Sequence, residues 1–237
     1  MIFLNQVTNL YLFTDRYKKY PLLKSGCQGS FILKGMETRK SHRGQGRPRA
    51  FDSDEALEQA LQAFWRKGYL GTSLTDLTEA MGINRPSLYA TFGNKEALFR
   101  KALDRYGERQ TAYLRSALEE PTARRVIEQM MYGVVDLVTN PGNPSGCLYA
   151  QSMISCSDPN DPLHQELAQR RVSGEAVLRA RFERAVAEGD LPSTTVPAAL
   201  ARFVVTVNLG MSVQAASGAS RAELLQVVQT ALRALPL

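Results

Sequence analysis

The sequence is poor in the residues that bind metals and form disulfide frameworks. Its 237 residues include only three cysteines and two histidines, and no two cysteines have the C-x-x-C spacing. The composition therefore excludes a disulfide scaffold and disfavours a zinc site of ordinary ligand spacing. We expect no metal or other cofactor, and the low cysteine content indicates a reducing compartment, most simply the cytoplasm.

Long apolar runs and catalytic motifs are also missing. No stretch approaches the ~18 residues that span a bilayer. The opening MIFLNQVTNLYLF has neither the basic segment nor the cleavage site of a signal peptide, so we expect no membrane partner. There is no glycine-rich phosphate loop and no nucleophile elbow, and a Cys147–His164 nucleophile pair would have no third group to orient it. An enzyme is therefore the disfavoured class.

Positive charge is concentrated towards the N-terminus. The chain carries a net charge of +6, yet residues 111–237 together carry −1. The stretch Arg39–Arg49 holds five basic residues and no acidic one. This asymmetry predicts a polyanionic partner at one end of the protein. The basic run is either a solubilising tail or an arm that follows a DNA backbone or enters a minor groove, with Arg47 and Arg49 as the candidate contacts.

Residues 1–46 are predicted to form an N-terminal extension and basic arm without stable structure. The first 35 residues show little helical periodicity and no capping residues. Met36 stands directly before the basic run, and we favour it as the real start, with residues 1–35 as an upstream extension. The alternative is a short, weakly structured arm.

A helix with a clear beginning and end is predicted after this arm. Asp52 precedes Glu55 by three residues, which is the pattern of a capping box. Apolar residues then recur at helical spacing as far as Trp65, and Gly68 is predicted to end the helix.

Two short helices are predicted next, and together they form a helix-turn-helix. The first runs from Ser73 to Met81, and MGIN makes the turn. Asn84 caps the second helix, Arg85–Phe92, in which Pro86 is tolerated because first-turn N–H groups have no helical partner. A second helix this short can place its N-terminal end in a DNA major groove.

Particular residue types around the second short helix favour contact with DNA. Pro86 and Ser87 are compact and let the backbone approach a groove, and the Tyr89 hydroxyl can reach a phosphate. Lys95 begins the following helix, where a cation opposes the helix dipole unless a phosphate also binds there. The alternative for Tyr89 and Phe92 is a role in the core, which we favour for Phe92. The alternative for Lys95 is a solvated surface lysine.

The stretch TSLTDLTEAMGINRPSLYATFGNKEALF, residues 72–99, closely resembles the DNA-binding signature of TetR-family transcriptional repressors. The similarity extends from about Arg47 to Tyr106. It implies an all-α homodimer with a three-helix DNA-binding domain (residues 47–98) and a larger helical domain for ligand binding and dimerisation (residues 99–237). The positions that match DNA-contacting residues of the family are Thr72, Ser73, Thr75, Arg85, Pro86, Ser87, Tyr89 and Lys95.

The remaining chain also has helical periodicity. Helices are predicted from Lys95 to about Leu118, from 122 to 138, from about 162 to 188, from 197 to 213, and from 220 to about 235. The last two are unusually apolar, with Arg202 the single charged residue between Val196 and Ser220. They are predicted to pack with their copies as a four-helix dimer interface, the alternative being intrachain core. The predicted interface residues are Phe203, Val204, Val207, Gly210, Met211, Leu224 and Val228.

An effector pocket is expected among the helices between residues 103 and 182. Methionine and tyrosine suit an adaptable apolar cavity, although they suit plain core equally well. No charged constellation indicates the chemical class of the ligand. The candidate lining residues are Tyr113, Met130, Met131, Tyr149, Met153 and Phe182, with Tyr132 also considered.

Cys147 is a candidate sensor thiol. It follows PSG at a predicted helix start, where the helix dipole favours the thiolate. The alternative is an inert, buried cysteine.

We conclude from the sequence that the protein is a repressor released from a pseudo-palindromic double-stranded operator by a small-molecule effector. Two alternatives remain open: a repressor that senses electrophiles or oxidants through Cys147, and an architectural DNA-binding protein without a ligand. The large, near-neutral C-terminal region argues against the architectural protein, because DNA binding alone does not need it.

Overall fold

The computed structural model describes residues 51–110, 112–155 and 161–235. The predicted N-terminal extension and arm, including Arg47 and Arg49, lie outside these residues. Met153 is described by its backbone only, so the predicted role of its side chain also lies outside the description. Every regular element in the described part of the chain is an α-helix, which confirms the all-α prediction.

Four helices carry the predicted DNA-binding region and its connection to the rest of the chain. Their side chains share a core in which Phe64 packs edge-on against Phe99, with ring centroids 4.9 Å apart. Leu77 and Leu88 are fully buried and hold the two short helices on this core. These helices are α1 (Ser53–Gly71), α2 (Leu74–Met81), α3 (Arg85–Phe92) and α4 (Lys95–Gln110).

The predicted helix starts are present as hydrogen bonds. The Asp52 side chain accepts from the backbone N–H groups of Asp54 and Glu55. Gly68 was predicted to end α1, but the helix continues to Gly71 beyond a break at which Gly68 has φ 70°. Glycine tolerates this left-handed value, so it can redirect the chain without ending the helix.

Six further helices complete the described chain. They bury one apolar cluster that includes Ile127, Met131, Phe182 and Val204. The described residues of the predicted helix from Lys95 to Leu118 are helical on both sides of residue 111, as α4 and α5, and the later helices begin within a residue of their predicted starts. The six are α5 (Ala112–Leu118), α6 (Ala123–Val138), α7 (Leu148–Ser155), α8 (Pro162–Ala187), α9 (Pro197–Ala216) and α10 (Arg221–Ala234).

Residues from Asp52 to Leu237 form one compact unit. α1 and α4 both pack against α7, so the first four helices are joined to the later ones through direct contacts. The predicted boundary near residue 98 therefore stays a prediction.

Candidate nucleic-acid interface

The turn between α2 and α3 fixes the orientation of α3 relative to α2. Ser73 and Asp76 form a complete capping box at the start of α2. Gly82 ends α2 with φ 64°, and the N–H of Ile83 reaches back to the carbonyl of Thr78 at 3.1 Å. This closing pattern requires a residue that adopts the left-handed conformation easily. The sequence MGIN thus produces a tight, well-defined helix-turn-helix.

α3 has one buried side and one exposed side. Leu88 is fully buried and Phe92 is nearly so, whereas Tyr89 is 49% exposed. Arg85 and Pro86 are also exposed at the N-terminal end, and Asn84 caps that end by accepting from Ser87 N–H at 2.9 Å. The face that points to solvent therefore carries the residues that the sequence assigned to DNA contact, and Phe92 belongs to the core as expected.

A side-chain hydrogen bond joins the two short helices at their exposed edge. Arg85 Nη2 donates to Thr75 Oγ1 at 3.0 Å. Because this bond uses one of the five guanidinium donors, the others remain available to a phosphate or a base edge. Thr75 is accordingly a positioning residue for Arg85 as well as a candidate contact.

Thr72 has a different position from the one its sequence role implied. Its side chain is fully buried, and its hydroxyl donates to the Gly68 carbonyl at 2.6 Å. This bond satisfies a hydroxyl that solvent does not reach. The Thr72 side chain therefore holds the end of α1 and is not presented to DNA.

Lys95 lies over an aromatic ring instead of extending into solvent. Its Nζ is 4.4 Å from the ring centroid of Tyr69, which is a cation–π distance. Burial lowers the pKa of Lys95, and the nearby carboxylate of Asp76 opposes this shift. The ammonium is thus held in one place beside the N-terminus of α4, whose first N–H groups have no helical partner. Asn94 caps this end by accepting from the Ala97 N–H at 2.8 Å, and a cation beside a helix N-terminus is an arrangement that favours phosphate binding.

Lys67 and Tyr69 are candidate contributors that the sequence did not reveal. Lys67 Nζ lies 2.5 Å from Asp76 Oδ1, and this hydrogen bond is the main reason that the pKa of Asp76 lies well below its usual value. Tyr69 supplies the ring that holds Lys95. Lys67 precedes and Tyr69 follows the break at Gly68, so helical periodicity did not place them on the same surface as α3.

Three hydrogen bonds connect α1 and α4 to residues at the start of α7. Trp65 Nε1 donates to the Gly146 carbonyl at 3.1 Å, and the Tyr106 hydroxyl donates to Cys147 Sγ at 3.2 Å. The Tyr149 hydroxyl donates to the carbonyl of Leu103 at 3.2 Å. We call residues 146–149 the joint. Burial raises the pKa of Tyr149 to about 12 and that of Tyr106 well above its ordinary value.

Two ion pairs connect α4 to α8. Arg100 Nε lies 2.6 Å from Glu166 Oε2, and Arg170 Nη2 lies 2.7 Å from Asp104 Oδ1. Burial alone would raise the pKa of Glu166, but hydrogen bonds from Arg100 and Arg170 outweigh it and lower that pKa. The helix that begins at Lys95 is therefore held along its middle by charges on α8.

The residues predicted to line an effector pocket are tightly packed. Met130, Met131 and Phe182 are buried in the apolar cluster, and Tyr149 belongs to the joint. The ring of Tyr113 lies directly on Gly133, where it occupies the position that a Cβ would take. Tyr132 is exposed. The pocket roles of these residues remain predictions.

The predicted interface residues differ in how far they are exposed. Phe203 and Gly210 lie on the outer side of α9, where Phe203 is 38% exposed and a Cβ added to Gly210 would meet nothing within 4 Å. Val207 is half-buried and packs in part against the core. The other four are buried within the chain and belong to its own core, because α9 is apolar on two faces and only one of them points outward. These four are Val204, Met211, Leu224 and Val228.

α9 is the one helix in the described part of the chain that is long and apolar enough, by length and composition, to cross a membrane. A third of its apolar window is buried inside the protein. That buried part contacts α6, α8 and α10, as a helix of a folded helical domain does.

Family models match both halves of the described chain. The model of bacterial regulatory proteins of the tetR family matches residues 56–102. The model of the tetracyclin repressor-like C-terminal domain matches residues 122–232. The first match contains the helix-turn-helix and Lys95, and the second contains α6 to α10.

Individual proteins give the same picture. The HTH-type transcriptional repressor ComR of Escherichia coli K12 is 35% identical over 196 residues, which cover 82% of this chain and 93% of ComR. The regulator YezE of Bacillus subtilis is 33% identical and covers 70% of this chain and 87% of YezE. Among solved structures, a cysteine mutant of the TetR family transcriptional regulator CifR, complexed with 26-bp double-strand operator DNA, superimposes with a TM-score of 0.75. It is 42% identical and covers 80% of this chain and 100% of CifR.

Proposed function

Because this chain belongs to the TetR family of bacterial regulatory proteins, and is thus a DNA-binding transcriptional regulator, we propose that it acts as a cytoplasmic homodimer. The dimer represses from a pseudo-palindromic operator, and a small-molecule effector releases it. The supporting observation is a set of exposed and positioned side chains. Arg85 and Tyr89 lie on the solvent side of α3, and Lys95 is held at the start of α4. We propose no catalytic role.

DNA recognition uses one copy of α3 from each subunit. Pro86 and Ser87 let the N-terminal end of α3 enter the major groove, where Arg85 reads base edges or a phosphate. Tyr89 and Lys95 contact phosphates on either side, which position the helix without reading sequence. Two copies related by a two-fold axis lie about 34–36 Å apart on the duplex and read two half-sites.

The dimer forms through the outer sides of α9 and α10. Phe203, Val213 and Val227 are 38%, 40% and 42% exposed on these helices. Exposed aromatic and β-branched side chains along one apolar stripe mark an interaction surface. A two-fold interface repeats each residue, so the α9 stripe of one subunit meets the same stripe of its partner.

The effector acts by shifting a conformational population. A ligand that binds more tightly to a form with a different spacing of the two α3 helices releases the operator by its difference in affinity for the two forms. The joint and the two ion pairs are the contacts through which the later helices set the position of α4 and hence of α3.

Genomic binding-site mapping, followed by fluorescence anisotropy on the sites it recovers, tests this function. We expect sites with two half-sites related by a dyad, and an affinity that falls steeply with salt. Footprints with and without metabolite extracts separate an effector-responsive repressor from an architectural protein. Binding with no sequence preference, unchanged by every extract, would contradict the proposal.

Regulation through Cys147 is a second candidate, favoured by the hydrogen bond that its sulfur accepts from Tyr106. Cys147 is half-buried and is not part of a disulfide. Addition of its thiolate to an electrophilic alkene would form an S–C bond, transfer a proton to the neighbouring carbon and place new bulk inside the joint. That bulk would separate Tyr106 from its partner and disturb α4.

Alkylation of a single-thiol variant tests this candidate. In the Cys27→Ser, Cys156→Ser background, N-ethylmaleimide should abolish operator binding, and further replacement of Cys147 by serine should protect it. Full operator binding by protein that mass spectrometry shows to be alkylated at Cys147 would exclude a sensor role for this thiol.

A further inference from the structure

A cavity of about 320 Å³ lies between α7, α8 and α9. Tyr113, Met130, Met131, Tyr149 and Phe182, which the sequence assigned to an effector pocket, are not among its described lining residues. It sits on the other side of α8 from the ion pairs to α4. Most of its wall is apolar, contributed by Ala150, Leu167, Ala168, Leu209 and Val213.

The size of the cavity sets the size of the ligand. An apolar cavity of about 150 Å³ is enough to hold benzene, so this one holds a body of about two fused rings. Ligand pockets in proteins begin at roughly this volume. The lower part of the wall is well buried, because Leu167 and Ala150 are 3% exposed. The part of an apolar body that lies against these two residues loses its contact with water.

Among the residues that the structure describes, the titratable ones that line the cavity are both basic. They are His164 and Arg171, which lie seven residues apart on one face of α8. The nearest acid along α8, Glu166, is bound by Arg100 and Arg170, so its charge is already matched. Arg171 is exposed, and its guanidinium can therefore meet a carboxylate at the rim in a bidentate pair.

We propose that this cavity binds an organic monoanion, a carboxylate carried on an apolar body of about ten carbons. The apolar body lies against Leu167 and Leu209, and the carboxylate accepts hydrogen bonds from Arg171 and His164. Imidazole has an N–H donor in either charge state, so His164 can serve in both.

The position of the cavity connects this ligand to DNA binding, a consequence that rests on the proposed function. α8 carries the cavity residues Leu167 and Arg171 on one side and the ion-paired Glu166 and Arg170 on the other. A ligand that displaces α8 from its place between the cavity and α4 changes the geometry of both ion pairs. It therefore favours the form in which α3 is no longer held for the operator.

Isothermal titration calorimetry of the full chain with 2-naphthoate tests the binding site directly and needs no DNA. We expect saturable binding at one site per chain and at least tenfold weaker binding of the neutral 2-naphthamide, because only the carboxylate forms charge-assisted hydrogen bonds. No binding of 2-naphthoate at millimolar concentration, or equal affinity for the amide, would overturn the proposal.

Two variants locate the site and one serves as the control. Arg171→Gln should weaken 2-naphthoate binding by about fivefold to tenfold while leaving 2-naphthamide unchanged, and Ala168→Phe should reduce binding of both by filling the cavity. Arg179→Gln is the matched control, since Arg179 lies on the same helix, pairs with Glu183 and lines no part of the cavity. Equal affinities in Arg171→Gln and Arg179→Gln would place the ligand elsewhere.

Operator anisotropy with the same probe separates this proposal from the proposed function. If the wild type binds no DNA site specifically, the proposed function fails while the calorimetric result stands on its own. If the operator is bound and 2-naphthoate releases it from Arg179→Gln at lower concentrations than from Arg171→Gln, the regulatory role is supported. If the probe binds and the operator stays bound, the coupling through α8 is wrong.

Discussion

Replacing Gly210 with glutamate should convert the dimer into a folded monomer that no longer holds its operator. In the single chain a Cβ at this position meets nothing within 4 Å, so the new side chain has room and the fold of the subunit is retained. A non-glycine residue inside a helix even gains ~1 kcal/mol of helix propensity. The substitution therefore acts on the interface and not on the subunit.

The expected loss follows from the two-fold symmetry of the proposed dimer. One substitution places two carboxylates near the axis, and burying an unpaired ion costs several kcal/mol. A combined cost of only ~6 kcal/mol raises the dissociation constant of the dimer by roughly 10⁴. A monomer presents a single α3 to DNA, and operator affinity falls with it.

Sedimentation velocity and operator anisotropy measure these two effects, with circular dichroism as the check on folding. Gly174→Glu is the matched control, because Gly174 also has open space around its Cβ but lies on α8 instead of α9. It should remain a dimer with wild-type affinity. If the Gly210→Glu protein also remains a dimer at wild-type concentrations, the interface lies elsewhere and the exposed stripe of α9 needs another explanation.

Further substitutions test individual contacts. Lys95→Met keeps the stem over Tyr69 but removes the charge, so it should weaken binding to all DNA sequences alike and reduce the salt slope by about one unit, whereas Arg233→Met should leave the slope unchanged. Tyr89→Phe should weaken operator binding without lowering the melting temperature, and unchanged affinity would argue against its phosphate contact. Thr72→Val should lower the free energy of unfolding in urea by about 0.5–1.5 kcal/mol because it removes a buried hydrogen bond, and Thr75→Val, at an exposed position, should change it by less than about 0.5 kcal/mol. The pKa of Tyr149 is raised to about 12 in the folded protein, so the unfolded chain loses this proton first. The free energy of unfolding of the wild type should therefore fall as pH rises from about 10 to 12, and that of Tyr149→Phe should fall by up to about 2–3 kcal/mol less.

The helix-turn-helix could be predicted because its information is local. Capping residues and turn glycines stand next to the helices that they end, so Ser73, Gly82 and Asn84 locate α2 and α3 without any long-range contact. The role of Thr72 could not be predicted in this way. Its hydroxyl bonds to the Gly68 carbonyl, at a break within α1 where the sequence pattern indicated an end.

The residues that form the interface and the cavity depend on how the helices pack and on which face of each helix points outward. α9 is apolar on two sides, so periodicity selected Val204 and Met211 together with Phe203, although only Phe203 is exposed. The cavity joins His164 and Arg171 to Leu209 across two helices, and no spacing along the chain relates these residues. Packing decides both questions, and packing is a property of the whole fold.

The chain has a single tryptophan, and Trp65 is the residue whose indole N–H donates to Gly146 while its ring packs edge-on against Tyr106. The protein therefore contains one indole fluorophore per subunit, which can be excited apart from the tyrosines and is located where α1 and α4 meet the start of α7. The emission maximum of an indole shifts when its hydrogen bond or its exposure to water changes. Unlabelled protein can consequently report, in a cuvette and in real time, whether an added compound opens this contact before any operator is known.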